Sequence, residues 1–315
     1  MEYNEIGRTG IKVSQLCFGS LTMGPLQKNL PLREGADLIR RAAEQGVNFI
    51  DTADLYDTYP YISEVLNEYP DMIVSSKSYA YDQRTAEDTL NRSLKGIGRD
   101  YIDFFLLHEQ EGSLTLKGHW EAIEYLGKCK EKGLVRGIGI STHYVAGVKA
   151  AALIPEIDII HPIINYRGLG IVDGTLEDME QAISLAWHNG KGIYAMKALG
   201  GGHLIPHLHK AFDYILNFPY VDSIAVGMQR IEEVETNVKI FNGKALSKED
   251  LESLMDYKRK LFIQDWCTGC ARCVRRCQQE ALSIGEDQMA QVDPKKCILC
   301  GYCGTVCREL AIKVI

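Results

Sequence analysis

The chain of 315 residues lacks several features that would assign it to common classes of protein. It has no apolar run near the roughly 20 residues that a membrane-spanning helix needs, and its N-terminus shows no secretory signal. It also lacks an excess of basic residues, because 35 Lys and Arg stand against 42 Asp and Glu, a net charge of −7. These absences argue against a membrane protein, a secreted protein and a nucleic-acid-binding protein. We therefore expect a cytoplasmic protein.

Cysteine is scarce over most of the chain and abundant only near its end. Of the ten cysteines, only Cys17 and Cys129 lie outside the segment 267–307. In a chain without a secretory signal, clustered Cys-x-x-Cys spacings indicate metal ligands more often than disulfides.

The clustered cysteines form the pattern C-x2-C-x2-C-x3-C twice. The two runs are Cys267, Cys270, Cys273 and Cys277, then Cys297, Cys300, Cys303 and Cys307. This is the spacing of bacterial ferredoxins with two [4Fe–4S] clusters, in which the fourth Cys of each run ligates the other cluster. The first cluster would take Cys267, Cys270, Cys273 and Cys307, and the second Cys297, Cys300, Cys303 and Cys277. Zinc is the alternative metal, because sites of four thiolates also suit it.

The chain before the cysteines alternates apolar, β-prone runs with amphipathic helical patterns from about residue 10 to 240. The candidate strands are "QLCFGS", "VNFIDTA", "MIVSSK", "YIDFFLLH", "VRGIGIST", "IDIIHPIIN", "GIYAMKAL" and "VDSIAVGM". Apolar strands that alternate with helices indicate a parallel sheet covered on both faces. Eight such units predict an α/β fold of the (β/α)8 TIM-barrel type. A doubly wound open sheet is the alternative, although no G-x-G-x-x-G follows the first strand.

These patterns divide the chain into three parts. We assign 1–245 to the barrel, 246–264 to a helical connector and 265–315 to a small α+β ferredoxin-like dicluster domain. "SKEDLESLMDYKRKLF" (247–262) predicts the connector helix, with Ser247 as its N-cap. In the tail, "EALSIGEDQMAQVD" predicts a hairpin, with "ELAIKVI" as its symmetry counterpart. We expect the tail to pack at the barrel mouth and to shape the substrate pocket.

Polar residues end three consecutive predicted strands, at Asp51, Lys77 and His108, and Tyr56 follows in the loop after Asp51. The C-terminal ends of barrel strands meet at one rim, so these side chains should converge. A phenol has a pKa near 10, and a neighbouring ammonium lowers it. We therefore predict Tyr56 as a general acid tuned by Lys77 and Asp51, with His108 orienting a carbonyl oxygen.

The segments "GRTGIKVSQLCFGSLTMG", "NFIDTADLY", "SSK", "LLH" and "GIGIST" resemble the aldo-keto reductases, over about residues 3–240. All four positions of that family's Asp–Tyr–Lys–His tetrad are filled. The resemblance implies NAD(P)H-dependent reduction of a small carbonyl substrate. Hydride would pass from the nicotinamide to the carbonyl carbon, and Tyr56 would protonate the oxygen.

The resemblance also implies contacts with the nicotinamide cofactor. Its positions fall on Gly19, Ser20, Ser141, Thr142, Asn165, Met196, Lys197, Gly227, Gln229, Arg230, Glu233 and Asn237. Lys197 beside three glycines suits a pyrophosphate by charge and by close backbone approach. Gln229 and Glu233 stand where basic residues often grip the 2′-phosphate of NADP, so NAD remains the alternative cofactor. Arg230 lies nearby as a compensating charge.

Hydride transfer moves two electrons together, whereas a [4Fe–4S] cluster passes one electron at a time. Three interpretations therefore stay open. The first is a nicotinamide-dependent reductase with an attached dicluster electron-transfer module. The second is a reductase without nicotinamide, fed by an external redox protein. The third is a non-catalytic electron-transfer protein, against which the intact tetrad argues.

Overall fold

The chain opens with the predicted hairpin. In a computed structural model, which describes residues 1–255, 259–277, 279–297, 299 and 302–315, strands β1 (Tyr3–Glu5) and β2 (Lys12–Ser14) pair antiparallel. Ile6, Ile11 and Val13 are buried in a cluster shared with residues of the barrel interior. The hairpin therefore closes the N-terminal end of the barrel with apolar side chains.

Eight parallel strands form a closed barrel, with the last strand paired to the first. They are β3 (Leu16–Gly19), β4 (Phe49–Asp51), β5 (Ile73–Ser78), β6 (Ile102–Leu107), β7 (Val135–Thr142), β8 (Ile159–Pro162), β9 (Gly192–Ala195) and β10 (Ser223–Gly227). Every residue of β3, β4, β5 and β6 is buried. The TIM barrel predicted from the sequence is confirmed, and all eight strands fall on the predicted runs.

Helices follow the barrel strands and cover them. They are α1 (Leu32–Glu44), α2 (Tyr59–Leu66), α3 (Gln83–Ile97), α4 (Ser113–Gly118), α5 (Trp120–Glu131), α6 (Val145–Ala152), α7 (Leu176–His188), α8 (Leu208–Leu216) and α9 (Ile231–Phe241). Short 3-10 turns lie at Ser20–Thr22, Asp54–Tyr56, Gly200–Gly202, Ile205–His207 and Gly304–Val306. Local chemistry sets several ends: Asp82 and Thr85 form a capping box before α3, and Gly98 ends it with a φ of 71°.

The C-terminal part contains a further helix and a small domain of short strands. Its elements are α10 (Lys248–Met255), β11 (Leu261–Ile263), α11 (Arg272–Arg276), β12 (Leu282–Ile284), β13 (Ala290–Val292) and β14 (Ile312–Val314). Strands β12 and β13 form the predicted hairpin, and β14 pairs antiparallel with β11.

The structure corrects the predicted connector helix at its C-terminal end. The helix is described only to Met255, and the last residues of the predicted helix lie in β11. Leu261 is buried in the core of the small domain and pairs with Val314. Pairing with the distant strand β14 therefore overrides the local helical pattern of this segment.

The small domain packs against the C-terminal mouth of the barrel, as expected. Leu310 is buried in the main barrel core, and His203 Nε2 lies 2.9 Å from the carbonyl oxygen of Ile312. Gly202 has a φ of 92°, and a Cβ there would collide with the carbonyl oxygen of Val314. Strand β14 thus lies directly on the loop that follows β9. Among the described helices, none has the length and apolar character to cross a membrane.

Candidate active site and cluster-binding residues

The four tetrad residues converge at the C-terminal rim of the barrel. Asp51 ends β4, Lys77 lies near the end of β5, His108 follows β6, and Tyr56 ends the 3-10 turn after β4. Lys77 Nζ donates to Asp51 Oδ1 at 2.6 Å and to the carbonyl oxygen of Thr52 at 2.6 Å. It lies 5.0 Å from the centroid of the Tyr56 ring, which is 5.8 Å from that of His108. Sequence spacing therefore located a group of side chains that the fold brings together.

The environment of Tyr56 differs from the sequence-based expectation. Burial raises the pKa of this phenol well above 10, and the charges of Asp51 and Glu109 raise it further. The ammonium of Lys77, which was expected to lower this pKa, is paired with Asp51, and burial dominates instead. The phenol of Tyr56 is therefore protonated at neutral pH, as a proton donor must be.

His108 is held in its neutral form. Burial lowers the pKa of this imidazole well below 6.5, and the charge of Lys77 lowers it further. The ring stacks on Tyr79 with centroids 4.7 Å apart. Its buried Nδ1 has no hydrogen-bond partner among the described residues. A buried polar atom of this kind fits a group that hydrogen-bonds a ligand.

A second layer of polar residues supports Asp51 from inside the barrel. Tyr194 donates to Asp51 Oδ1 at 2.9 Å, and its hydroxyl lies 2.9 Å from Ser75 Oγ. His161 stacks on the Tyr194 ring at 3.8 Å, and its Nε2 lies 3.6 Å from Asp51 Oδ1. Burial lowers the pKa of His161 to about 4, so its ring is neutral at neutral pH.

A cavity opens above the tetrad and runs along the barrel mouth. Tyr56, Asp51 and His161 line one part of it, and residues from the small domain line another. Its lining includes these predicted cofactor residues: Gly19, Met196, Lys197, Gly227, Gln229, Glu233 and Asn237. Lys197 has a φ of 61°, and burial lowers its pKa.

The other predicted cofactor residues do not line this cavity. Ser20 is hydrogen-bonded to Thr58, and Arg230 contacts Glu232 and Ser253. Ser141 Oγ accepts from the amide of Glu109, and Thr142 Oγ1 from that of Tyr144.

Asn165 is also engaged away from the cavity. Its Nδ2 donates to Leu169 O at 3.0 Å, and its Oδ1 accepts from the amides of Arg167 and Leu169. Both ends of the Asn165 amide are therefore used within its own loop.

The adenosine-side position Glu233 faces a cation that the sequence did not single out. Glu233 accepts a 2.8 Å hydrogen bond from the amide of Gln229, and Arg259 Nη2 lies 3.8 Å from its carboxylate. Burial raises the pKa of Glu233. Arg259 and Glu233 both line the cavity. The pair brings one charge of each sign to the end of the cavity near α9.

The cysteines assigned to the first cluster surround a second cavity, of about 280 Å³. The four that line it are Cys267, Cys270, Cys273 and Cys307. Backbone amides point at these thiols: that of Ala290 lies 3.4 Å from Cys267 Sγ. Those of Ala311 and Ile312 lower the pKa of Cys307 against a larger rise from burial. Four thiols around a cavity of this size, with amide donors, fit a cluster of several atoms better than a single zinc ion.

The second set is described in part. Cys300 lies outside the described residues, whereas Cys277 accepts a 3.3 Å hydrogen bond from the amide of Ala281. The two cysteine runs share backbone conformation at matched positions. Two residues after the first cysteine, Gly269 and Leu299 have φ values of 63° and 54°. Three residues after the fourth, Glu280 and Leu310 have values of 50° and 45°. This repetition indicates two similar loops.

Comparison with known proteins decides the family. Residues 15–210 match the profile of the Aldo/keto reductase family, which is more than half of the chain. The chain belongs to the aldo/keto reductase family. Residues 259–308 match the profile of the 4Fe-4S dicluster domain, so this reductase carries such a domain after its barrel.

Known relatives agree with this assignment. The chain is 23% identical to the uncharacterized oxidoreductase YqkF of Bacillus subtilis, covering 82% of this chain and 97% of that protein. It is 24% identical to L-galactose dehydrogenase of Arabidopsis thaliana, covering 76% and 87%. The holo form of an aldo-keto reductase from Bacillus halodurans shares the fold, with a TM-score of 0.66 and 20% identity over 81% of this chain and 95% of that one.

Several residues at the mouth of this aldo/keto reductase escaped the sequence analysis. Tyr194 and His161 lie inside barrel strands, where a polar residue had no distinctive spacing. Arg259 and Lys313 lie in the C-terminal part, far in sequence from the tetrad. The one available signal was His161 within the apolar run "IDIIHPIIN".

Proposed function

We propose that this aldo/keto reductase is a cytoplasmic enzyme that reduces a small carbonyl substrate with NAD(P)H and carries two [4Fe–4S] clusters. The observation that carries the proposal is the buried ion pair of Lys77 and Asp51 beneath Tyr56. Asp51 and Tyr56 both line the cavity at the barrel mouth. A buried ion pair has a large desolvation cost. The pair lies at the C-terminal rim, where barrel enzymes have their active sites, and this position supports a catalytic role.

Tyr56 is the proposed proton donor to the carbonyl oxygen. Its raised pKa keeps the proton on the phenol until the oxygen gains negative charge during reduction. Neutral His108 hydrogen-bonds the same oxygen and orients it. Lys77 stabilises the phenolate left after the transfer, and Asp51 with Tyr194 fixes the position of that ammonium.

When bound, the nicotinamide cofactor would supply the hydride. Lys197 would contact its pyrophosphate, and Gly19 with Gly227 would leave room for close approach. Gln229, Glu233 and Asn237 would hold the adenosine side. Glu233 favours a ribose hydroxyl, whereas Arg259 favours a 2′-phosphate, so NAD and NADP both stay open.

The dicluster domain would hold its clusters through the eight cysteines in the crossed arrangement predicted above. The cavity lined by Cys267, Cys270, Cys273 and Cys307 supports the first set. Replacing Cys270 by Ser should lower the iron content of anaerobically purified protein, and Cys129→Ser, in the barrel core, should leave it unchanged. Full iron in the Cys270 variant would refute this ligand set.

Replacing Tyr56 by Phe tests the catalytic proposal. Loss of the proton donor should lower kcat about 10²- to 10⁴-fold with a panel of small aldehydes and ketones. Iron content and NADPH affinity should stay unchanged. Tyr81→Phe is the matched control, because Tyr81 is exposed in the loop after β5. Equal turnover in the two variants would remove Tyr56 from the mechanism.

A reductase fed by an external redox protein is the second candidate. It is favoured by the engagement of Asn165 in its own loop and by a short path from the first cysteine run to the cavity. Trp266 precedes Cys267, and its ring lies 4.8 Å from Nζ of Lys313, which lines the cavity. Titration of iron-replete protein with NADPH and NADH separates the candidates. Micromolar binding of either supports hydride transfer, and no binding of either supports the second candidate.

A further inference from the structure

The dicluster domain places one lysine inside the catalytic cavity of the barrel. Lys313 lies in the middle of β14 and is only 4% exposed. Its neighbours in sequence pair with β11, which fixes the strand across the mouth. Lys313 lines the same cavity as Tyr56 and Asp51.

A second lysine lines that cavity from the barrel side. Lys197 follows β9 and is held in a left-handed conformation with a φ of 61°. Burial lowers the pKa of Lys313 well below 10.5, and the charge of Lys197 lowers it further. The cavity therefore contains two buried amines, one from each domain.

Neither lysine has a carboxylate within ion-pair distance among the described residues. Lys313 Nζ instead lies 4.8 Å from the ring centroid of Trp266. The acidic residue that acts on both lysines, Glu109, is exposed and accepts a 2.5 Å hydrogen bond from Tyr79. An anionic ligand would favour the charged form of such a buried amine and supply the partner that it lacks.

We propose that Lys313 binds the carboxylate of the substrate while Lys197 contacts the cofactor pyrophosphate, so that the enzyme reduces oxo acids in preference to neutral aldehydes and ketones. The carboxylate would lie against Lys313 while the carbonyl points to Tyr56 and His108. The carbonyl carbon gains hydride from NAD(P)H, the oxygen gains the proton of Tyr56, and the product is a hydroxy acid. The inference rests on the proposed carbonyl reduction for its chemistry, although binding can be tested without turnover.

The surroundings of Lys313 favour the substrate over the cofactor as the source of the anion. The charged and titratable groups that act on Lys313 or respond to it are Lys197, Glu109 and His143. Glu109 directly follows His108, and His143 directly follows β7. The adenosine side of the cavity is instead marked by Glu233 and Arg259. Lys313 therefore interacts with groups that adjoin His108 and β7, which supports placing the substrate beside it.

The turnover experiment compares each oxo acid with its neutral methyl ester. Pyruvate and 4-oxopentanoate are measured against methyl pyruvate and methyl 4-oxopentanoate, with iron-replete protein under anaerobic conditions. Lys313→Met should lower kcat/KM for the preferred acid about 10- to 100-fold, mainly through KM, and change its ester less than about threefold. Lys313→Arg should keep the preference for the acid. Lys295→Met is the control, because Lys295 is exposed in the dicluster domain.

A wild-type enzyme that prefers both esters, or a Lys313→Met variant that loses acid and ester equally, would overturn the inference. An equal loss of NADPH affinity, with the acid preference intact, would assign the anion to the cofactor pyrophosphate and would also overturn it.

Binding is measured separately with unreactive analogues. Oxamate and succinamate should bind to iron-replete protein in calorimetry, and their neutral amides oxamide and succinamide should bind at least tenfold more weakly. In wild-type protein, the bound acid should also protect Lys313 from acetylation, as read by mass spectrometry. Protection without any turnover would refute the proposed reduction and keep the anion site. Unchanged acetylation of Lys313 at saturating acid would overturn the site even if Lys313→Met failed to fold.

Discussion

Replacing Asp51 by Asn tests how much the buried ion pair contributes to stability. The side chains of Lys77 and Asp51 are only 1% and 7% exposed, and Asp51 Oδ1 accepts from both Lys77 and Tyr194. The variant keeps the volume of the side chain but leaves a buried ammonium without its carboxylate. Breaking a buried pair in this way costs about 3–5 kcal/mol.

This cost is large enough to measure as a shift in Tm. A domain of about this size loses roughly 2–4 °C per kcal/mol, so Asp51→Asn should lower Tm by roughly 6–20 °C. The assay is thermal unfolding of iron-replete protein followed by circular dichroism, with iron content measured before each scan. Asp88→Asn is the matched control, because its partner Arg84 lies 4.0 Å away and both side chains are well exposed. The control should change stability by only about 0.5 kcal/mol.

A double variant separates the interaction energy between Lys77 and Asp51 from the interactions that each side chain makes with other residues. Lys77→Met removes the charge that Asp51→Asn leaves behind, so the combined loss should be smaller than the sum of the two single losses by about 1–3 kcal/mol. Additive losses, or a shift for Asp51→Asn no larger than that for Asp88→Asn, would refute the reasoning.

Two further predictions concern acid stability and domain contact. His161 has a pKa of about 4 in the folded chain against about 6.5 when unfolded, so its contribution to stability is complete above about pH 6.5. As the pH falls from there to about 4, it should cost up to about 1.4 kcal/mol per pH unit, and His161→Asn should flatten this part of the denaturation profile. Equal slopes for the two proteins would contradict the prediction. Gly202→Ala should displace the carbonyl of Val314 and speed hydrogen exchange in β14. Gly243→Ala is the control, because this glycine has a φ of 67° and open space around it. It should lower the free energy of unfolding by only about 1–2 kcal/mol and leave hydrogen exchange in β14 unchanged. The same exchange rate in both variants would count against the contact between Gly202 and Val314.

The barrel and the tetrad were predictable because their signals are local. Each strand is a short apolar run, and each tetrad residue stands at or just after the end of such a run. The ends of parallel strands meet at one rim whatever the loops do. Hence Asp51, Lys77 and His108 were found from spacing alone.

Other features depend on contacts between distant segments, which one sequence does not display. Strand β11 looked helical, because its partner β14 lies some 50 residues later. The pKa of Tyr56 was predicted in the wrong direction, because burial and the pairing of Lys77 with Asp51 are properties of packing. The use of both ends of the Asn165 amide within its own loop could not be read from the sequence, and its contact with the cofactor stays a prediction.

Strand β14 gives the cysteine-rich domain a part in forming the catalytic pocket. If the cysteines hold clusters as proposed, the order of this small domain depends on their insertion, because metal ligation and folding are coupled. A newly made chain without iron would then have a barrel but lack one wall of its pocket. Substrate reduction would begin only after cluster assembly, and oxidative loss of a cluster would inactivate the enzyme without touching any tetrad residue. The dicluster domain would thus make activity of the barrel depend on cluster assembly, whether or not it also transfers electrons.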